Sequence, residues 1–140
     1  MTGERKYSIL LVEDEAIIAL DLSSTLERIG YAVAGTATTG EEGLEMTLAL
    51  NPDLVIMDIL LGAGMDGIET AAAIRKRRDI PVVYMTANAD AATVERARST
   101  EPFGYINKPV SENDLRTGLD TALYKHRMEK ALRESEERYK

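Results

Sequence analysis

Four apolar, β-branched runs each lead directly into a chemically reactive side chain, and this repeated junction is the tightest constraint on the fold. Ile9-Leu10-Leu11-Val12 runs into Glu13 and Asp14, and Leu54-Val55-Ile56-Met57 into Asp58. Ile80 through Met85 ends on Thr86, and Tyr105-Ile106 leads to Lys108-Pro109. Short continuous apolar runs of this kind suit strands covered on both faces. In a parallel α/β sheet the C-terminal ends of all strands open on one edge, where such folds place their ligand sites. Residues spread from position 13 to position 108 would then share one crevice.

The segments between these runs carry helical patterns. Ile18, Leu22, Leu26 and Ile29 recur at three- and four-residue spacing and predict a helix over 15–29, with Gly30 as its stop. Tyr31 to Thr36 reads as a further strand. Thr39-Gly-Glu-Glu42 is a capping-box pattern opening a helix to about Leu50, and Asn51-Pro52-Asp53 breaks it. Asp66-Gly-Ile-Glu69 caps a helix to about Arg78, Asp90 caps a short one to about Ser99, and Ser111-Glu-Asn-Asp114 opens the last. Five strand–helix units in succession predict an α/β fold: a doubly wound, five-stranded parallel sheet with helices on both faces and an extended C-terminal helix.

Composition narrows the function classes. A chain of 140 residues with 44% apolar side chains suits one globular domain. The absence of cysteine excludes disulfides and Cys-based metal sites. No apolar stretch approaches the roughly 20 residues of a membrane span, and Met1 to Lys6 lacks the features of a signal peptide. A cytoplasmic location is the expectation. A net charge of −7 argues against a nucleic-acid surface within this chain.

Residues 1–124 read as one domain and 125–140 as a helical linker or coiled-coil extension. Beyond Tyr124 the chain is charged, with opposite signs four apart at Glu129/Arg133, Lys130/Glu134, Arg133/Glu137, Glu134/Arg138 and Glu136/Lys140. Tyr124, Met128, Ala131 or Leu132, Ser135 and Tyr139 form a thin apolar seam. A frayed, solvated terminus and a signalling helix that pairs with a second chain both fit this pattern.

The strand-end chemistry is more specific. Asp14 and Asp58 bring hard oxygen ligands suited to Mg²⁺. The single histidine, His126, lies in the tail, so neither a zinc site nor a Ser-His-Asp triad fits. A carboxylate such as Asp58, at the end of a buried strand, can attack phosphorus and form an acyl phosphate. Lys108 would neutralise the transferring group, Thr86 would donate its hydroxyl, and Glu13 would hold a metal-bound water. Taken singly, each residue has an ordinary explanation: charge at a helix N-terminus, a turn, a cap, a surface lysine. Their joint placement at four strand ends favours the phosphoryl reading.

With these residues in place, the chain resembles the receiver domain of two-component response regulators. The matching segments are Leu10-Leu-Val-Glu-Asp-Glu15, Val55-Ile-Met-Asp-Ile59, Met65-Asp-Gly-Ile-Glu69, Pro81-Val-Val-Tyr-Met-Thr-Ala87 and Gly104-Tyr-Ile-Asn-Lys-Pro109. The resemblance covers residues 6–124 and implies a flavodoxin-like sheet of order 2-1-3-4-5. It implies that Asp58 takes a phosphoryl group from a histidine kinase or phosphotransfer domain. Glu13, Asp14, Asp58 and the backbone carbonyl of Leu60 would serve Mg²⁺. Lys108 would bind phosphate, Thr86 and Tyr105 would form a switch pair, and Lys108–Pro109 would be cis. The implied role is regulatory rather than enzymatic, with output through the surface of helix 4, strand 5 and helix 5. A homodimer would form through that surface or through the last helix.

The chain departs from this pattern in one loop. Leu60-Leu-Gly-Ala-Gly64 lacks the usual proline and runs one residue long. An apolar Leu60 cannot guide an attacking water, which implies slow self-dephosphorylation. Leu132-Arg-Glu-Ser-Glu-Glu-Arg-Tyr139 resembles the lead-in to a PAS sensor domain. Three alternatives stand beside this reading. A phosphorylation-independent docking scaffold would share the fold. An aspartate-nucleophile phosphatase would want an aspartate where Leu60 stands. A flavin carrier would want a Ser/Thr/Gly loop where Glu13-Asp-Glu15 stands.

Overall fold

The computed structural model describes residues 6–62, 64–87 and 90–138. Five strands alternate with five helices: β1 (Ser8–Val12), α1 (Ala16–Arg28), β2 (Ala32–Ala37), α2 (Gly40–Leu50), β3 (Leu54–Asp58), α3 (Gly67–Arg75), β4 (Val82–Thr86), α4 (Ala91–Arg98), β5 (Gly104–Asn107) and α5 (Glu112–Arg138). The strands form one parallel sheet of order β2-β1-β3-β4-β5.

The sheet has a core on each face because successive side chains of a strand point to opposite sides. Ile9, Leu11, Leu54, Ile56, Val83 and Met85 meet Leu22 and Leu26 of α1 and Leu115 and Leu119 of α5. Leu10, Val12, Val55, Met57, Val82 and Tyr84 meet Ile68 and Ile74 of α3 and Ala97 of α4. Both faces being covered, β3 and β4 are buried along their whole length and show no polar alternation. Each fully buried Leu or Ile contributes roughly 1.5–3 kcal/mol, so these strand ends rest on a stiff frame.

Local sequence sets the element ends. Asp66 accepts from Glu69 N at 2.8 Å, and Asp66 N donates to Glu69 Oε1 at 2.9 Å, a complete capping box. The box expected at Thr39 is modified. Thr39 Oγ1 accepts from Glu42 N at 3.1 Å, but the Glu42 carboxylate reaches one residue further back, to Thr38 N at 2.7 Å. α3 stops at Arg75 rather than near Arg78, because the N–H groups of Arg77 and Arg78 both converge on the Ile74 carbonyl. Asp58 and Thr86 are the last residues of β3 and β4, not residues just beyond them.

The tail is helical as far as Arg138. It is clamped to the domain. His126 Nε2 lies 3.1 Å from Asp79 Oδ1, and Arg133 donates to Asp79 Oδ2 at 2.6 Å. These contacts hold the Asp79 carboxyl below the usual range although its burial pushes the other way. His126 and Arg133 are seven residues apart and therefore share one helix face. Arg133, with candidate partners at Glu129 and Glu137, pairs with the body instead. Tyr124, Met128 and Leu132 remain 56%, 48% and 60% exposed on the other side. Tyr139 and Lys140 lie outside the described residues. Among the described residues no helix is long and apolar enough to cross a membrane.

Candidate functional site

Parallel pairing brings the strand ends together. Val12 lies opposite Met57, Asp58 opposite Met85, and Thr86 opposite Asn107. Glu13 and Asp14 follow β1 directly, and Glu13 N donates to the Ala37 carbonyl at 2.9 Å. Lys108 N donates to the Thr86 carbonyl at 2.9 Å, so the lysine leaves β5 at the same edge. The Lys108–Pro109 bond is cis.

The Lys108 ammonium bridges two buried carboxylates, donating to Glu13 Oε1 at 2.8 Å and to Asp58 Oδ2 at 3.0 Å. Glu13 is fully buried and its other oxygen accepts from Glu15 N at 3.0 Å. Asp58 is 4% exposed, and its Oδ1 accepts from Leu60 N at 3.1 Å. Burial pushes Asp58 up to about 6; the Glu13 charge adds to this and the Lys108 ammonium opposes it. For Glu13 burial also pushes upward, but Lys108 and the Glu15 N–H outweigh it and hold the group low. Burial disfavours the Lys108 cation, yet its two carboxylates raise its pKa.

Asp14 is exposed at the rim, and its Oδ2 accepts from Gly62 N at 3.1 Å. One oxygen each from Glu13, Asp14 and Asp58 lie within 4.8 Å of one another, a hard-oxygen cluster that could hold a cation. It fits Mg²⁺, because one carboxylate faces solvent and leaves room for the waters that ion keeps.

Thr86 is buried at the end of β4, while Tyr105 on β5 is 43% exposed. Its ring lies 6.0 Å from that of Tyr84, its partner across the ladder. Leu60 is 68% exposed beside Asp58. Thus the sequence-derived residues Glu13, Asp14, Asp58 and Lys108 share direct contacts or one cluster. Thr86 joins them at the edge, and Tyr105 stands two residues back along β5.

Other residues of the site escaped sequence reasoning. Gly67 opens α3 where an added Cβ would lie 2.0 Å from the Asp58 carbonyl oxygen, so a side chain there would displace the end of β3. Glu41 accepts from Met65 N at 3.1 Å and so touches the loop beside Asp58. Tyr84 hides a hydroxyl pair with Thr100 at 2.6 Å, which joins β4 to the segment after α4. The Asp66-Gly67 pair marked a cap but not this close approach, and no local pattern linked Glu41 to a loop 24 residues on.

Comparison with known proteins matches residues 9–120 to the response regulator receiver domain family. The transcriptional regulatory protein PdtaR of Mycobacterium tuberculosis is 39% identical over 124 residues, 89% of this chain and 60% of its own length. AfsQ1 of Streptomyces coelicolor is 37% identical over 103 residues, 74% of this chain and 45% of its own length. The chain therefore spans about half of these curated relatives. Among solved structures, the signal receiver domain of a modulated diguanylate cyclase from Desulfovibrio desulfuricans G20 has TM-score 0.84 at 35% identity, covering 89% of this chain and 99% of that domain. The N-terminal domain of a response regulator/sensory box/GGDEF three-domain protein from Carboxydothermus hydrogenoformans has TM-score 0.79 at 40% identity, covering 87% and 98% respectively.

Proposed function

For a chain that belongs to the response regulator receiver domain family, we propose that Asp58 is the phosphoacceptor and that its phosphorylation switches the α4–β5–α5 surface. One observation carries this reading: the buried Asp58 carboxylate sits against Lys108 at 3.0 Å and within one acidic cluster with Glu13 and Asp14. In the transfer an Asp58 oxygen forms a bond to phosphorus while the bond from phosphorus to the donor's imidazole nitrogen breaks. The nitrogen keeps the electron pair. Glu13, Asp14, Asp58 and the Leu60 carbonyl would hold Mg²⁺, which when bound supplies positive charge to the phosphoryl oxygens. Lys108 then trades a carboxylate partner for a phosphoryl oxygen, and the Thr86 hydroxyl donates to another.

Exposed Ile17 and Leu20 on α1 offer an apolar landing surface for the kinase or phosphotransfer partner. With Thr86 drawn inward, Tyr105 turns from its half-exposed position toward the space vacated, a coupling typically worth about 1–3 kcal/mol. Residues 125–140 act as a linker that passes this change on, and the sensory box that follows the receiver in the Carboxydothermus protein supports that role. A homodimer through the α4–β5–α5 surface or the exposed Tyr124, Met128 and Leu132 face is the assembly this reading favours. The module is regulatory and has no turnover beyond its own phosphorylation and dephosphorylation.

Loading with phosphoramidate and Mg²⁺, followed by peptide mapping, tests the assignment. The phosphoryl group is expected on the peptide holding Asp58; a hydroxyl side chain as the acceptor contradicts it. The exposed Leu60 offers no polar group to steer water toward the acyl phosphate. Leu60→Asn is therefore expected to shorten the lifetime of phospho-Asp58 several-fold. A lifetime unchanged in Leu60→Asn, or shortened by Leu60→Ala, counts against this role.

A further inference from the structure

The glycine-rich loop after β3 is held by carboxylates at both ends, and those at its two ends have different fates. Near the acceptor, Leu60 N donates to Asp58 Oδ1 at 3.1 Å and Gly62 N to Asp14 Oδ2 at 3.1 Å. At the far end, Met65 N donates to Glu41 Oε2 at 3.1 Å and Asp66 N to Glu69 Oε1 at 2.9 Å. Asp14 and Asp58 are the groups that a cation and a phosphoryl group would engage. Such engagement would weaken their hold on Leu60 N and Gly62 N. The Glu41 and Glu69 bonds do not compete, because neither carboxylate belongs to the acidic cluster.

Glu69 fixes only the start of α3, where it closes the capping box. Glu41 reaches from a different element, the first turn of α2, and grips the loop itself. Gly64 makes the grip feasible. It takes φ +84, and an added Cβ there would lie 2.7 Å from both Glu41 carboxylate oxygens. Gly40, just before Glu41, packs so closely on Met65 that its Cβ would lie 2.8 Å from the Met65 carbonyl. The start of α2 and the end of the loop therefore form one seam.

We propose that Glu41 is a positioning residue for the cation site: its bond to Met65 N–H keeps the loop in place while Asp14 and Asp58 exchange their loop bonds for cation and phosphoryl. This rests on the phosphoacceptor reading above. Outer contacts that orient metal ligands commonly carry about 10–100-fold in affinity. The loop's one expected ligand is the Leu60 carbonyl, so the low end applies.

Three proteins decide it: wild type, Glu41→Ala and Glu41→Gln, the last losing the charge but keeping an acceptor oxygen. Binding of Mn²⁺, a Mg²⁺ surrogate, is followed by the electron paramagnetic resonance of the free ion. Exchange of the Met65 amide is followed by NMR in EDTA. Glu41→Ala is expected to raise the Mn²⁺ Kd by about ten-fold and to speed Met65 exchange. Glu41→Gln is expected to stay near wild type in both. Equal Kd values for wild type and Glu41→Ala overturn the positioning role, whatever happens to thermal stability. Equal losses in Ala and Gln variants also overturn it, since they report the missing charge alone. Failure of the wild type itself to bind Mn²⁺ overturns the cation reading beneath it.

Discussion

Lys108→Met is expected to destabilise the cation-free protein by about 2–4 kcal/mol at pH 7. The ammonium is the shared partner of two carboxylates that are almost wholly out of solvent, Glu13 at 2.8 Å and Asp58 at 3.0 Å. Methionine keeps the length of the stem and removes only the charge and its donors. Two uncompensated buried carboxylates then face each other, and breaking such a pair costs far more than an exposed salt bridge returns. Protonation of Asp58 relieves part of the cost, which places the effect below the upper end for buried pairs. The loss should reverse when Mg²⁺ is added, because the vacated charge favours a cation in the acidic cluster. Urea unfolding in EDTA and in excess Mg²⁺ measures both arms. An unchanged midpoint in EDTA would show that Lys108 is not the counter-ion of the site.

Asp58→Asn should act in the opposite direction. Asp58 stands at about 6 in the folded protein against an ordinary 3.8. Between these values the folded chain holds a proton that the unfolded chain has released. Stability therefore falls as pH rises through this window, and the deficit persists above it. The full difference corresponds to about 3 kcal/mol, an upper bound for what the neutral amide recovers at pH 7. The variant should lose the downward slope between about pH 4 and pH 6. It should also lose most of the stabilisation that Mg²⁺ gives the wild type. Chemical denaturation across pH in EDTA reads the slope directly. Equal slopes in wild type and variant would mean that the Asp58 charge costs the fold nothing. The Lys108→Met, Asp58→Asn double variant should be more stable than Lys108→Met alone, since the two changes act on one ion pair.

These two effects describe a site that is costly to the fold without a cation: two buried carboxylates share one ammonium, and a third stands at the rim. Burial makes the Asp58 charge costly, and the same burial strengthens its attraction for added positive charge.

Much of this was legible in the residues because it depends on strand order and short-range pattern. The apolar runs ending at Glu13, Asp58, Thr86 and Lys108 needed only parallel pairing to meet, and the register delivers it. Caps at Thr39, Asp66 and Asp90 were readable because they close over three residues. What escaped is tertiary and involves groups with a plain local explanation. Glu41 lay inside the Thr39-to-Glu42 capping pattern, and its bond to Met65 spans 24 residues. Asp79 carried no signal along the chain, yet it contacts both His126 and Arg133 of the last helix. Opposite charges four apart in the tail suggested internal pairing, but a fixed carboxylate on the body competed successfully for Arg133. The long loop after Asp58 drew attention as a departure, while its hold by Glu41 has no signature along the chain.

On the proposed function, Asp58 accepts a phosphoryl group in a Mg²⁺-dependent reaction. The most direct test is the intact mass of wild type and Asp58→Asn after incubation with phosphoramidate, each with Mg²⁺ and with EDTA. A single phosphoryl adduct is expected on the wild type with Mg²⁺, strongly reduced in EDTA and absent from Asp58→Asn. An unmodified wild type, or an adduct of equal yield on Asp58→Asn, would contradict the claim.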